Sequence, residues 1–91
     1  MNATTIDEAR KVIAKAILSA YKEVKEIYLA NLGKLEGSLL ISLGNAHKRV
    51  DSLSMRQLRK VLKAARSRLA GFEVVEEIDL ALKRIEGIPG I

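Results

Sequence analysis

Hydrophobic residues recur at intervals of three and four along most of this chain, most regularly between Ser52 and Phe72. That spacing places them on one face of an α-helix. The stripe consists of Met55, Leu58, Leu62, Ala65, Leu69 and Phe72. Ser54 and Gln57 predict a capping box at its start, and Gly71 predicts a left-handed end. The pattern predicts an amphipathic helix, the third of the chain.

A longer stripe of the same kind runs through the first third of the chain. It contains Ile6, Ala9, Ile13, Ile17, Ala20, Val24 and Ile27, with Ala14, Leu18, Tyr21 and Tyr28 beside it. Thr5 and Glu8 predict a capping box at the start of this helix, and Gly33 predicts its end. The first helix is therefore expected to exceed twice the mean length of about 11–12 residues. Its wide apolar face can contact two other helices, or one helix and a second protein chain.

The segment from Lys34 to Val50 is ambiguous, because its short apolar run SLLISLG also suits a strand. The longer spacing of three and four favours a helix. The positions concerned are Leu32, Leu35, Leu39, Leu43, Ala46, Val50 and Leu53. Gly37 and Gly44 each weaken a helix by roughly 1 kcal/mol relative to Ala. Since they lie two turns apart on one side, they indicate a close approach to another helix.

A fourth helix is predicted from Glu73 to Glu86. Its inward positions are Val75, Ile78, Leu82 and Ile85. Acidic residues in its first turns, and Lys83 and Arg84 near its end, suit the helix dipole. Gly87 is the expected end. Four amphipathic helices with short connections predict an all-α fold, a small four-helix domain formed by residues 1–91.

The composition indicates in which cellular compartment the protein is expected and which kinds of site it lacks. The chain has no cysteine, which excludes disulfides, thiolate metal ligands and cysteine nucleophiles and fits a reducing cytoplasm. No apolar run reaches the roughly 18 residues of a membrane-spanning helix, and the start MNATTIDEAR is unlike a signal peptide. A cytoplasmic protein without a membrane segment is expected. Few Asn and Gln residues beside abundant Lys, Arg and Glu are typical of thermophiles.

Positive charge is concentrated in one part of the chain. Residues 37–68 carry eight basic side chains and one acidic side chain, a net charge of +7, whereas the whole chain has a net charge of +5. Residues 69–91 carry two basic and five acidic side chains. Helix 3 is therefore basic and helix 4 acidic. No acidic residue occurs between Ser52 and Phe72. Five basic residues of helix 3 fall within an arc of roughly 120° on the other side from its apolar stripe: Arg56, Arg59, Lys60, Lys63 and Arg66.

This arrangement predicts contact with nucleic acid, mainly through phosphates and without sequence preference. The predicted nucleic-acid-binding residues are Lys48, Arg49, Arg56, Arg59, Lys60, Lys63 and Arg66. Aromatic side chains are not interleaved with them, so a base-stacking platform is not expected. An alternative is a helix-turn-helix, in which helix 3 would enter the major groove. Its predicted turn lacks glycine and carries Asp51, whose charge is unfavourable beside DNA.

No catalytic, metal or cofactor site is predicted. His47 and Asp51 supply one imidazole and one carboxylate, which do not fill a zinc site. The segment LGKLEG lacks the strand and the Gly-Lys-Ser/Thr ending of a phosphate-binding loop. The order of residues matches no known type of hydrolase. We therefore expect a protein that is not an enzyme and binds no cofactor.

Helix 1 carries more apolar surface than its neighbours readily cover. Its predicted partner interface comprises Ile17, Tyr21, Val24 and Tyr28, since tyrosine beside aliphatic residues is enriched at protein interfaces. The favoured function is a non-catalytic accessory protein of DNA or RNA processing, of the replication or transcription type. Helix 3 would bind nucleic acid, and helices 1 and 4 a larger protein or a second copy. The alternatives are a pure protein–protein adaptor or small subunit, and a dimeric helix-turn-helix regulator.

Overall fold

The fold is all-α, as predicted. The structure is a computed structural model that describes residues 2–30 and 37–88, with side chains described from residue 6 onwards. It contains helices α1 (Asn2–Ala30), α2 (Gly37–Lys48), α3 (Met55–Arg68) and α4 (Val74–Glu86), and no strand in these ranges. None of the described helices is both long and apolar enough to cross a lipid bilayer.

Helix α1 is the longest helix of the described residues, and α2 and α4 pack against it. Its 29 residues extend about 43 Å at 1.5 Å per residue, which accounts for the longest dimension of 46 Å. It packs mainly on α4 and α2, while α3 packs on α4 and α2. Of the two alternatives for the wide apolar face of α1, contact with two helices of the same chain is the one that the structure shows.

One hydrophobic cluster joins all four helices. Its larger fully buried members are Ile13, Ile17, Val24, Leu43, Leu58, Leu62, Leu69, Ile78 and Ile85. They occupy the stripes that the spacing of three and four predicts. No charged or polar residue is buried among the described side chains. The core is therefore aliphatic, and the described charged side chains lie outside it.

Helix α3 begins with the predicted capping box. The backbone N–H of Gln57 donates to the Ser54 hydroxyl at 3.2 Å, and the Ser54 N–H donates to the Gln57 side-chain oxygen at 2.9 Å. The helix ends at Arg68, and Gly71 has a φ of +92° in the turn that follows. Phe72 is a correction: it is 41% exposed because the chain has left the helix, so helical spacing no longer keeps it on the buried face.

The two glycines of α2 are positions of close packing, as predicted. A Cβ added at Gly44 would lie 3.2 Å from Cε1 of Tyr21, and one at Gly37 would lie 3.5 Å from Cε1 of Tyr28. The later glycine meets the earlier tyrosine, so α2 runs antiparallel to the end of α1. The packing compensates for the low helix propensity of glycine, and α2 forms.

Two expectations about the ends of α1 differ in outcome. Thr5 is not the N-terminal cap, because α1 already begins at Asn2. The predicted stop at Gly33 lies outside the described residues.

A long-range contact fixes the connection between α2 and α3. Nη1 of Arg10, on α1, donates hydrogen bonds to the backbone oxygens of Val50 at 2.6 Å and Leu53 at 2.9 Å. Both carbonyls belong to the connection between α2 and α3, outside the regular hydrogen bonding of either helix. Arg10 therefore fixes the position of the start of α3 relative to α1.

Candidate nucleic-acid interface

Four cations share the outer side of α3, which we call the α3 basic face. Arg56, Lys60 and Lys63 are exposed, Arg59 is half-buried, and together with Gln57 they line one surface depression. The opposite side of the helix is buried in the core, so the helix cannot rotate to hide these charges. Between Arg56 and Lys63 the helix rises about 10 Å, which equals about three base-pair steps of 3.4 Å along the axis of B-DNA.

Arg66 lies at the end of this row but points to α4. Its Nε donates a hydrogen bond to Oδ1 of Asp79, and its Nη2 donates one to Oδ2 at 3.3 Å. Both side chains remain nearly half exposed. The guanidinium of Arg66 is therefore engaged in an ion pair between α3 and α4, and it is less available to a phosphate than the four cations of the α3 basic face.

The ion pair lowers the pKa of Asp79 and raises the pKa of Arg66. The hydrogen bond from Arg66 is the main cause that lowers the pKa of Asp79 below its ordinary value, and attraction to Arg66 and Lys83 adds to it against partial desolvation. The same hydrogen bond and charge raise the pKa of Arg66. Asp79 is thus ionised at neutral pH and cancels one positive charge at this end of α3.

The remaining two predicted binding residues are consecutive in sequence but line different grooves. Arg49 is exposed and lines a groove between α2 and α3 that also contains Gln57, so it adjoins the α3 basic face. Lys48 is exposed and lines a different groove, between α1 and α2. The structure therefore groups Arg49 with Arg56, Arg59, Lys60 and Lys63, places Arg66 at their edge, and places Lys48 in the groove between α1 and α2.

His47 is half-buried and also lines the groove between α1 and α2. Among residues 6–30 and 37–88, no group of three or more His, Asp or Glu side chains is arranged to hold a metal ion. Lys48 is its charged neighbour in that groove.

The predicted partner interface on α1 needs a correction. Ile17 and Val24 are fully buried in the core of this chain, because α2 and α4 cover the side of α1 on which they lie. They offer no surface to a partner. Tyr21 and Tyr28 are half-buried, with their rings against the two glycines of α2. Of the four residues, these two retain surface at the edge between α1 and α2.

Sequence reasoning did not identify the role of Asp79. It lies beyond the first turn of α4, whose acidic residues Glu76 and Glu77 suit the helix dipole. Its contact with Arg66 depends on the relative register of α3 and α4, which no local pattern specifies. The tyrosine contacts did leave a signal: Tyr21 and Tyr28 are seven residues apart, as are Gly37 and Gly44.

No significant match to this chain was found among protein-family models, curated proteins or solved structures. The α3 basic face is therefore the feature from which a function can be proposed.

Proposed function

We propose that this chain is a non-catalytic accessory protein of DNA- or RNA-processing machinery that binds the phosphate backbone through α3. The observation that supports this proposal is the set of four cations on one exposed side of one helix, with no acidic residue from Ser52 to Phe72. A second element of the proposal is a protein partner or second copy, which contacts another side of the molecule.

The chemistry of the α3 basic face suits phosphates. Arg56 and Arg59 offer planar guanidinium groups that can donate two hydrogen bonds to one phosphate, while Lys60 and Lys63 act as point charges. A helix packed on an aliphatic core holds the four groups at fixed spacing, so binding costs little ordering of the backbone. Contacts of this kind position a protein on nucleic acid without reading its sequence.

A helix-turn-helix regulator is supported less well. The connection between α2 and α3 comprises the six residues 49–54, whereas the motif has a turn of about three to four residues. Asp51 is exposed in this connection. Its negative charge would face the duplex if the first turn of α3 entered the major groove. A non-specific phosphate-binding helix requires neither a short turn nor a neutral one.

The test is fluorescence anisotropy with a random-sequence duplex and a single strand of equal length. We expect binding that weakens steeply between about 50 and 200 mM salt, because several phosphates release counterions. Absence of binding at 50 mM salt would overturn the proposal and favour the protein–protein adaptor. A strong preference for one duplex sequence over another would instead favour the dimeric helix-turn-helix regulator.

A cytoplasmic location and a thermophilic source also remain proposals. The lack of cysteine supports the first and the balance of charged over amide residues supports the second. A thermal unfolding midpoint within the mesophilic range of about 45–65 °C would contradict the thermophilic source.

A further inference from the structure

A groove runs between α1 and α2, and two of its α2 residues, Ile41 and Asn45, also line the groove between α2 and α3. Leu18 and Tyr21 of α1 and Leu40 and Ile41 of α2 supply most of its apolar wall, and Gly44 forms part of its floor. Ile41 is 65% exposed, the largest exposed fraction among the described large hydrophobic side chains. Leu18, Tyr21 and Leu40 are each half-buried. The groove thus gathers apolar surface that the chain does not cover.

The glycine is what opens this groove. Because Gly44 has no side chain, the ring of Tyr21 lies against the α2 backbone, with its Cε1 only 3.2 Å from where a Cβ would be. A larger residue would push the ring outwards and fill the space. The groove is therefore a consequence of the close contact at Gly44, and its walls are the two helices α1 and α2.

The surroundings of the groove are positively charged. No residue that lines it is acidic, and Lys48 stands at one end. On α1, Lys15 and Lys22 are exposed and lie three residues before and four residues after Leu18, so they are its neighbours on the helix surface. Lys22 also lines the depression between α1 and α4 that contains Glu73 and Glu77. Helix α2 itself carries no charged residue before Lys48. The groove is an apolar strip bordered by lysines.

We propose that this groove binds an acidic amphipathic segment of a protein partner, with apolar side chains beside Ile41 and Tyr21 and carboxylates facing the lysines. This inference rests on the protein-partner half of the proposed function and moves that contact from the α1–α4 side to the α1–α2 side. Charge complementarity identifies the occupant. A second copy of this chain that docked through the same groove would bring two rows of lysines together, which costs energy.

The probe is a fluorescent peptide of about 18 residues, or about five helical turns, with Leu at positions three and four apart and Glu elsewhere. A control peptide replaces each Leu by Ser and keeps the charge. Two protein variants are matched in chemistry: Ile41→Asp in the groove and Leu80→Asp on α4. Leu80 is 52% exposed, so both changes place one new carboxylate at an exposed apolar position.

We expect the Leu peptide to bind the wild-type protein and the Leu80→Asp variant equally, and to bind Ile41→Asp roughly tenfold or more weakly. The Ser peptide should bind far more weakly than the Leu peptide. Equal binding of the Leu peptide to both variants, or no binding to the wild type, would overturn the inference.

A further variant separates this site from the nucleic-acid site. Replacing Arg59, Lys60 and Lys63 by Glu removes cations of the α3 basic face and leaves the groove intact. Peptide binding that persists in this variant supports the groove; peptide binding that disappears means that the peptide was held by the α3 basic face, and overturns the inference. A concentration-dependent dimer of the wild type that Ile41→Asp abolishes would identify a second copy as the occupant and also overturn it. Duplex binding by Ile41→Asp tests the proposed function separately.

Discussion

Releasing Arg66 from Asp79 should add one phosphate contact to the α3 basic face. The Asp79→Asn change keeps the size of the side chain and removes the carboxylate that accepts both hydrogen bonds from the guanidinium. Because the pair lies nearly half exposed at the end of the row of cations, the freed Arg66 can turn towards a bound backbone. The pair itself stabilises the fold little, since exposed ion pairs are screened by water.

The magnitude follows from counting cations. Four phosphate contacts give a slope of about −3.6 for log affinity against log salt concentration, and five give about −4.5, at about −0.9 for each phosphate of B-DNA. From about 50 to 200 mM salt, the wild-type protein should therefore lose affinity about 150-fold and Asp79→Asn about 500-fold. At the lower salt concentration the variant should bind more tightly than the wild type.

Fluorescence anisotropy with a random-sequence duplex measures both slopes. Glu76→Gln is the matched control, because Glu76 is exposed on the same helix and the change removes the same charge. Its slope should equal that of the wild type. The reasoning is refuted if Asp79→Asn and Glu76→Gln have equal slopes, since Arg66 would then already contact phosphate or never reach it. Circular dichroism of both variants is the control for correct folding.

The same pair gives a pH dependence. The pKa of Asp79 is lowered in the folded protein by Arg66, so the carboxylate contributes stability above the ordinary Asp pKa of about 3.9 and loses it as the pH falls through the lowered value. The thermal midpoints of wild type and Asp79→Asn should therefore differ at pH 7 and converge under strongly acidic conditions. A difference that grows on acidification would contradict this sign.

Three further changes test the packing, each by urea denaturation. Ser54→Ala removes the cap of α3 and should cost about 1 kcal/mol, whereas Ser67→Ala, exposed within the same helix, should cost nothing; equal effects would contradict the capping role. Arg10→Ala leaves two carbonyls of the α2–α3 connection without their donor and should cost about 1.5–3 kcal/mol of unfolding free energy. A loss below about 0.5 kcal/mol, the smallest value for an ordinary hydrogen bond, would contradict the role of Arg10 in holding this connection. Gly44→Val forces a branched side chain against the Tyr21 ring and should cost about 1–3 kcal/mol; the same change in a Tyr21→Ala background should cost less, and an equal cost would show that the ring is not the obstacle.

The sequence predicts most where structure is decided locally. The capping box of Ser54 and Gln57, the spacing of the α3 stripe and the left-handed Gly71 each act within a few residues, and all are present in the structure. The stripe fails at Phe72 for a local reason as well, because α3 ends at Arg68 and the spacing loses its meaning beyond that point. The predicted fourth helix differs from the observed α4 by one residue at its start.

The candidate sites are predicted less completely, because they depend on how helices pack. The row of cations on α3 follows from the sequence, but the diversion of Arg66 by Asp79 requires the register between two helices. Arg10 contacts a connection about forty residues further along the chain, and nothing near it in sequence indicates this. The rings of Tyr21 and Tyr28 lie against glycines of α2, and Tyr21 also lines the groove between α1 and α2. How much surface the two tyrosines keep for a partner is decided by this packing of α2 on α1.

The most direct test of the central claim compares two variants with the same net charge. One replaces Arg59, Lys60 and Lys63 on α3 by Glu, and the other replaces Lys11, Lys15 and Lys22 on α1 by Glu. Both are measured by anisotropy with a random-sequence duplex at low salt, after circular dichroism has shown that both are helical. We expect the α3 variant to lose duplex binding and the α1 variant to keep most of it. Equal loss in both variants would mean that only net charge matters, and would contradict the assignment of the interface to α3.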